Sequence, residues 1–322
     1  MWYNNADAAY HQSLTHLGST HLNMEGMSIS THRKLSVSHP LFKLLGPHFL
    51  YLLSINNLAY TTLLPPGGWV DTSMTTGAKG MIELVGKGMS EWRMDVDGTL
   101  PEDLKNRRVD DVSALPNYHY RDDALLLYEA IKNYVTKYVN LYYKSPKDIA
   151  GDWELRSWAK ELSLRKEKGG VGVLGIPNGG DLKCNEDIVL VATCIIYTCS
   201  VTHAAANFLQ YEQYAFPANY PSLMAGSPPT TKDAKMAIID YLPGKAETLD
   251  IMVMTNILSL RAANGLGNFE VQYVYDPEAV DIVNEFRAKL KEISKTIQSR
   301  NKSRKHPYDI LDPKLIPNSI SI

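Results

Sequence analysis

Residues 188–211, from Ile188 to Tyr211, contain no formally charged side chain. Their apolar positions surround the axis instead of forming one stripe, so a helix here is buried on all sides and the rest of the chain must be built around it. A run of this length also meets the length of a membrane span. In that case Thr193, Thr198, Ser200, Thr202, His203, Asn207 and Gln210 would all sit in lipid, and neither flank carries a strong basic cluster. The sequence therefore predicts a core helix and no transmembrane segment. Within it, His203 and Asn207 are four residues apart, about 40° on a helix, and face one spot. A lone buried histidine is more often a hydrogen-bonded core residue than a ligand.

With 322 residues and 44% hydrophobic content, the chain is long enough for a substantial core. Lys plus Arg number 33 against 35 Asp plus Glu, which gives no argument for nucleic acid or an anionic membrane as partner. The locally basic stretch from Lys289 to Lys305 reads as a solvated helix face. Three cysteines, Cys184, Cys194 and Cys199, two of them on the apolar helix, fit reduced core thiols in a cytoplasmic protein. The first residues lack the pattern of a secretory signal, so export is not expected.

Six of the nine histidines, His11, His16, His21, His32, His39 and His48, lie in the first 48 residues. His11, His16 and His21 are spaced by five, which on a regular helix leaves neighbours about 140° apart. A local π turn would bring two onto one face, and Gly18 lowers the cost of leaving α geometry. Two readings stand, a metal site and a polar helix face.

Helical patterns run over 5–22, 39–64 with a kink at Pro47, about 77–87, 121–143, 152–164, 234–242, 246–263 and 277–300. Between them 95–117, 168–180 and 217–229 read as connections, and signals for strands are thin, so an all-α fold is expected. Gly77 to Gly80 is too short for a phosphate loop. The chain ends Leu-Ile-Pro-Asn-Ser-Ile-Ser-Ile, an apolar terminus that suggests a last residue tucked inside.

Taken together, His-x4-His-Leu near the start, His-x3-Asn on the central helix and a chain ending in Asn-Ser-x-x-Ile resemble an animal-type lipoxygenase. The segments 39–45, Tyr120-Arg121-Asp122-Asp123, 228–232 and 316–319 follow the same family's pattern in the same order. The resemblance implies one non-haem iron held by His16, His21, His203, Asn207 and the terminal carboxylate of Ile322, with His11 outside the set. Such a donor set suits an octahedral iron that keeps a position for water. It further implies a ferric hydroxide that takes hydrogen from a bis-allylic methylene of an arachidonate-like polyunsaturated fatty acid, followed by O2 addition to give a hydroperoxide. No separate acid or base is required.

For the substrate pocket the resemblance implies Leu17, Leu22, Leu63 and Leu258 around the pentadiene, and Gln210 as a link between the ligand helix and the cavity. Ala59 goes with S stereochemistry, and small residues at Ala8 and Ser73 go with the deep pockets of 5- or 8-directing members. The chain departs from the family at Tyr60, where arginine is common, at Ala78-Lys79, and at Glu212-Gln213. Relatives also carry an N-terminal β-barrel domain, through which they associate peripherally with membranes, and a longer helical start. Residues 1–322 are thus expected to form the C-terminal part of a lipoxygenase catalytic domain. Three functions compete: an iron dioxygenase, a catalytically silent lipid- or partner-binding protein, and a membrane protein anchored by the central helix.

Overall fold

A computed structural model describes residues 1–235 and 237–322. Its first helix, α1, spans 2–34 without a break: α-helix at Trp2–Tyr10, π-helix at His11–Leu22 and α-helix again at Asn23–Lys34. Then come α2 (Leu52–Thr62), α3 (Gly77–Glu91), α4 (His119–Tyr142) and α5, which runs through Asn185–Tyr197, a π segment at Thr198–Thr202, and His203–Asn207. Two more long helices follow, α6 (Lys245–Leu258) and α7 (Pro277–Asn301). Among the described residues strand pairing is limited to two isolated bridges, Arg93 with Leu174 and Gly265 with Pro317.

The uncharged helix is the centre. Residues from Ile188 to Val201 on α5 are buried with few exceptions, against Leu127, Ile131, Tyr134, Val135 and Tyr138 of α4. Residues 185–214 are long and apolar enough to cross a membrane, and 83% of their most apolar window is buried inside the fold. On the other side α3 packs on the π segment of α1 at Gly88, where a Cβ would lie 1.9 Å from the Leu14 side chain. Any larger residue at position 88 would force the Leu14 side chain to move.

Several segments differ from the periodicity. The pattern over 39–64 is two helices, because a 3-10 turn at Gly46–Phe49 and a left-handed Tyr51 (φ 71°) separate Pro40–Leu45 from α2. The break resets the helical phase, which turns Leu53 and Leu58 outward while Leu41, Leu44, Leu45 and Leu52 stay buried. Within 95–117 a helix forms at Leu100–Asn106, with Pro101 in its first turn, where the missing N–H costs nothing, and Leu100 and Leu104 buried. The helix expected over 234–242 is a 3-10 turn at Ile238–Asp240, Met236 lying outside the described residues, and α6 stops at Leu258 short of the expected 263.

Two polar anchors hold the helices in place. Asp123, fully buried at the start of α4, accepts from Arg300 (2.7 Å) and Arg304 (2.6 and 2.9 Å) near the end of α7. Removing one partner of such an ion group leaves uncompensated charge. Asp123→Ala is therefore expected to cost about 3–5 kcal/mol, read from urea unfolding; a loss under about 1 kcal/mol would show that the ion group carries no weight.

Asp152 caps the helix Trp153–Ser163 through the Leu155 N–H (2.9 Å) and also accepts from Tyr143 Oη (2.7 Å) and His39 Nε2 (2.9 Å). Burial pushes its pKa up, but these donors together outweigh it and bring the carboxyl to about 2. A depressed folded-state pKa gives stability that is fully present above the ordinary carboxylate value and is lost as pH falls through about 2. Asp152→Ala should cost about 2 kcal/mol at pH 7. The difference from the parent chain should stay flat from neutral pH to about pH 5 and narrow toward about pH 2 in urea melts. A gap that widens in acid would contradict this assignment.

Candidate metal centre

His16 and His21 sit in the π-helical part of α1, and His203 follows immediately after the π segment of α5. The π geometry, one residue more per hydrogen-bonded turn, brings residues five apart onto one face. The His16 and His21 ring centroids are 4.9 Å apart, and His203 lies 5.0 Å from His21 and 5.4 Å from His16. All three rings are buried, and His21 Nε2 lies 3.2 Å from Nε2 of both His16 and His203. Among the described residues this is the group of three or more metal-grade side chains whose donor atoms converge. Burial lowers all three pKa values, that of His21 to about 4; at His16 the neighbouring imidazoles lower it further.

Two hydrogen-bond chains fix which nitrogen of each α1 histidine carries the proton. The first ends on the main-chain carbonyl of Leu258, which can only accept. Asn207 Nδ2 donates to it (2.7 Å), Asn207 Oδ1 accepts from Gln210 Nε2, Gln210 Oε1 accepts from Gln12 Nε2 (2.7 Å), and Gln12 Oε1 faces His16 Nδ1 (3.1 Å). With amide directions set from the far end, His16 Nδ1 must be the donor and its Nε2 a free lone pair. The second chain runs from Tyr60 Oη and Asn56 Nδ2 to Glu25 Oε2 (2.7 and 2.6 Å), and from Asn56 Oδ1 to His21 Nδ1 (2.8 Å). It fixes the same tautomer at His21. Lone pairs thus converge on one dry point, an arrangement that a cation relieves and that outward-facing ring N–H donors support.

The end of the chain reaches the same place. Asn318 is clamped by His48 Nδ1 (2.8 Å to its carbonyl), by the Gly267 N–H (2.9 Å to Oδ1) and by the Asn268 and Asn264 carbonyls (2.7 and 2.9 Å). Ile320 and Ser321 are buried, and the main chain of Ile322 is hydrogen-bonded to the His203 ring. His11 turns away and pairs with Tyr214 Oη (2.6 Å).

The sequence-predicted pocket residues fall into two neighbouring groups. Leu17, Leu22 and Leu63 pack around Val70, Met74, Met81 and Val85. Ala8 packs with Tyr214 and Ile251, and Ser73 Oγ donates to the adjacent Asp250 (3.0 Å). Trp69 touches both groups and was not singled out by the sequence. Ala59 is half-buried on α2, and Leu258 serves the site through its carbonyl. Gln12, Glu25 and Asn56 also escaped notice, although Gln12 and Glu25 stand four residues from His16 and His21 on the same helix. An open groove of about 290 Å³ flanks the site, with Leu22, Met89, Trp92 and Val171 on its walls.

The lipoxygenase family model matches residues 1–309. The allene oxide synthase-lipoxygenase protein of Plexaura homomalla is 35% identical over all of this chain, which covers 30% of that relative. The polyunsaturated fatty acid lipoxygenase ALOX15B of Homo sapiens is 35% identical, again over the whole chain and 47% of the relative. A crystal structure of a lipoxygenase in complex with arachidonate superposes with a TM-score of 0.94 at 35% identity, covering 100% of this chain and 48% of that one. The chain spans less than half the length of the relatives just named. On the match of family, sequence and fold, it belongs to the lipoxygenase family.

Proposed function

We propose that this chain is the iron-binding part of a dioxygenase that adds O2 to an arachidonate-like polyunsaturated fatty acid to give a hydroperoxide. The observation that carries the reading is the convergence of three buried imidazoles whose ring nitrogens face one point, with His16 and His21 presenting Nε2 lone pairs. His16, His21 and His203 would hold the iron, with Asn207 Oδ1, which keeps a second lone pair beside its bond to Gln210, and the terminal carboxylate of Ile322. Imidazole, amide oxygen and carboxylate suit this metal. Three free thiols are consistent with work in a reducing compartment such as the cytoplasm.

When bound, the iron supplies one-electron chemistry at the bis-allylic carbon. The side chains around it do the rest. Leu17, Leu22 and Leu63 offer an apolar wall that aligns the pentadiene and excludes water. Gln210 and Gln12 tie Asn207 on α5 to His16 on α1, so the two ligand helices keep a common geometry. By the family resemblance, Ala59 would cover one face of the pentadiene with no more than a methyl group, and Ala8 and Ser73 would leave depth for the chain end. Buried aliphatic walls suit an apolar acyl chain and no nucleic acid.

A second reading is a catalytically silent lipid- or partner-binding protein. It is favoured by Leu249, Val253 and Ile257, exposed along one face of α6. Iron per purified chain and oxygen uptake with arachidonate separate the two. The dioxygenase reading expects about one iron per chain, near zero after His203→Ala or removal of Ile322, and hydroperoxide formation reduced at least about 100-fold in both variants. Fatty-acid binding without iron or oxygen uptake in the parent chain would hand the case to the second reading.

A further inference from the structure

His21 differs from His16 in how its hydrogen-bond chain ends. The His16 chain stops on a main-chain carbonyl that nothing can reverse, whereas in the His21 chain the Asn56 NH2 is shared between a long bond to the His21 main-chain carbonyl (3.3 Å) and a short one to a side chain, Glu25 (2.6 Å), near the surface. Asn56, which lies between, is 2% exposed and can present either its oxygen or its NH2 to His21. A carboxylate accepts only. So long as Glu25 faces Asn56, the NH2 must point to it and the oxygen to His21.

We propose that Glu25 and Tyr60 are positioning residues that set the direction of this chain and thereby hold His21 Nε2 as a lone pair toward His16 and His203. The proposal rests on the reading of these imidazoles as metal ligands, but its core is a statement about hydrogen-bond direction in the metal-free chain. Glu25 stands four residues after His21 on α1, and Asn56 and Tyr60 stand four apart on α2, so both spacings place the partners on facing sides of the two helices. Tyr60 Oη binds the same Oε2 that accepts from Asn56, which fixes the carboxylate in a position where a flexible, half-exposed glutamate would otherwise swing into water. The phenol donates a hydrogen bond without adding charge. A cationic residue at position 60 would instead place a positive charge beside Glu25, two hydrogen bonds from His21.

The test compares the parent chain with Glu25→Gln, Tyr60→Phe and the double variant. Two readouts are used: the protonation of each histidine nitrogen by 15N NMR in the metal-free protein, and the affinity for ferrous ion. In the parent chain the His21 proton is expected on Nδ1. Glu25→Gln, nearly the same shape but able to donate, leaves only the long bond to the His21 carbonyl as an acceptor-only partner of Asn56 and should move a share of the proton to Nε2 and lower ferrous affinity about 10–100-fold. Tyr60→Phe should give a smaller fall, and the double variant should be no worse than Glu25→Gln alone, as expected for residues that act through one route. His16 should stay protonated on Nδ1 throughout, which distinguishes a local effect from unfolding. Unchanged His21 protonation in Glu25→Gln with affinity within about twofold of the parent, or movement of His16 and His21 together, would overturn the proposal. If the parent chain binds no ferrous ion, the metal reading fails, and the NMR result in the metal-free chain still decides the direction of the hydrogen bonds.

Discussion

Three imidazole rings share a buried space, with His21 Nε2 3.2 Å from Nε2 of both His16 and His203, and the tautomers of His16 and His21 leave no hydrogen between those two. Lone pairs so placed repel one another, and a protonated ring would be worse, because a buried cation without an anion is expensive. The rest of the structure reads as the means of imposing this arrangement. The π segments of α1 and α5 bring the rings to one point, and amide chains ending on acceptor-only groups forbid the tautomers that would relieve the repulsion by turning a hydrogen inward. Folding energy from the apolar core around α5 holds the groups together against their own preference.

The same economy shows in how distant parts of the chain meet there. Leu258 contributes a carbonyl from the end of α6, Asn318 fastens the last residues across a loop and a buried histidine, and Asp123 ties the long α7 to the helix that covers the core. His48 is lowered to about 4 by burial, although its bond to Asn318 opposes that shift, so it remains a neutral donor to the tail at physiological pH. None of these residues touches the point where the imidazoles converge. Each fixes something that does.

The sequence announced the centre of the fold more clearly than its edges. An uncharged stretch of this length, interrupted by polar residues that lipid would not hold, reads as a core helix, and it is buried inside the fold. The five-residue histidine spacing made no sense on a regular helix and pointed to the π turn that forms, and the apolar terminus pointed inward as found. What stayed hidden depends on contacts between residues far apart in the chain. Leu53 and Leu58 follow a helical period that Tyr51 interrupts, and the sequence has no mark that a tyrosine will adopt a left-handed conformation. Gln12 and Asn56 are ordinary polar residues until Gln210, 198 positions from Gln12, and His21, 35 from Asn56, are brought beside them. Trp69 reads as a turn residue because its two apolar neighbourhoods come from different helices.

The π-helical stretch of α1 also has an angular meaning. An extra residue in a helix advances everything before it by about 100° relative to everything after it. Upstream of the stretch, Asn5 binds the carbonyls of Pro221 and Ser222 (3.0 and 3.1 Å) and Ala8 lies against Tyr214 and Ile251; downstream, Glu25 faces α2. Shortening the stretch between His16 and His21 toward regular α geometry would keep helical hydrogen bonding, yet it would swing Asn5 and Ala8 away from their partners. The spacing of the histidines and the docking of the first helical turns are therefore one structural choice, made by the π-helical stretch.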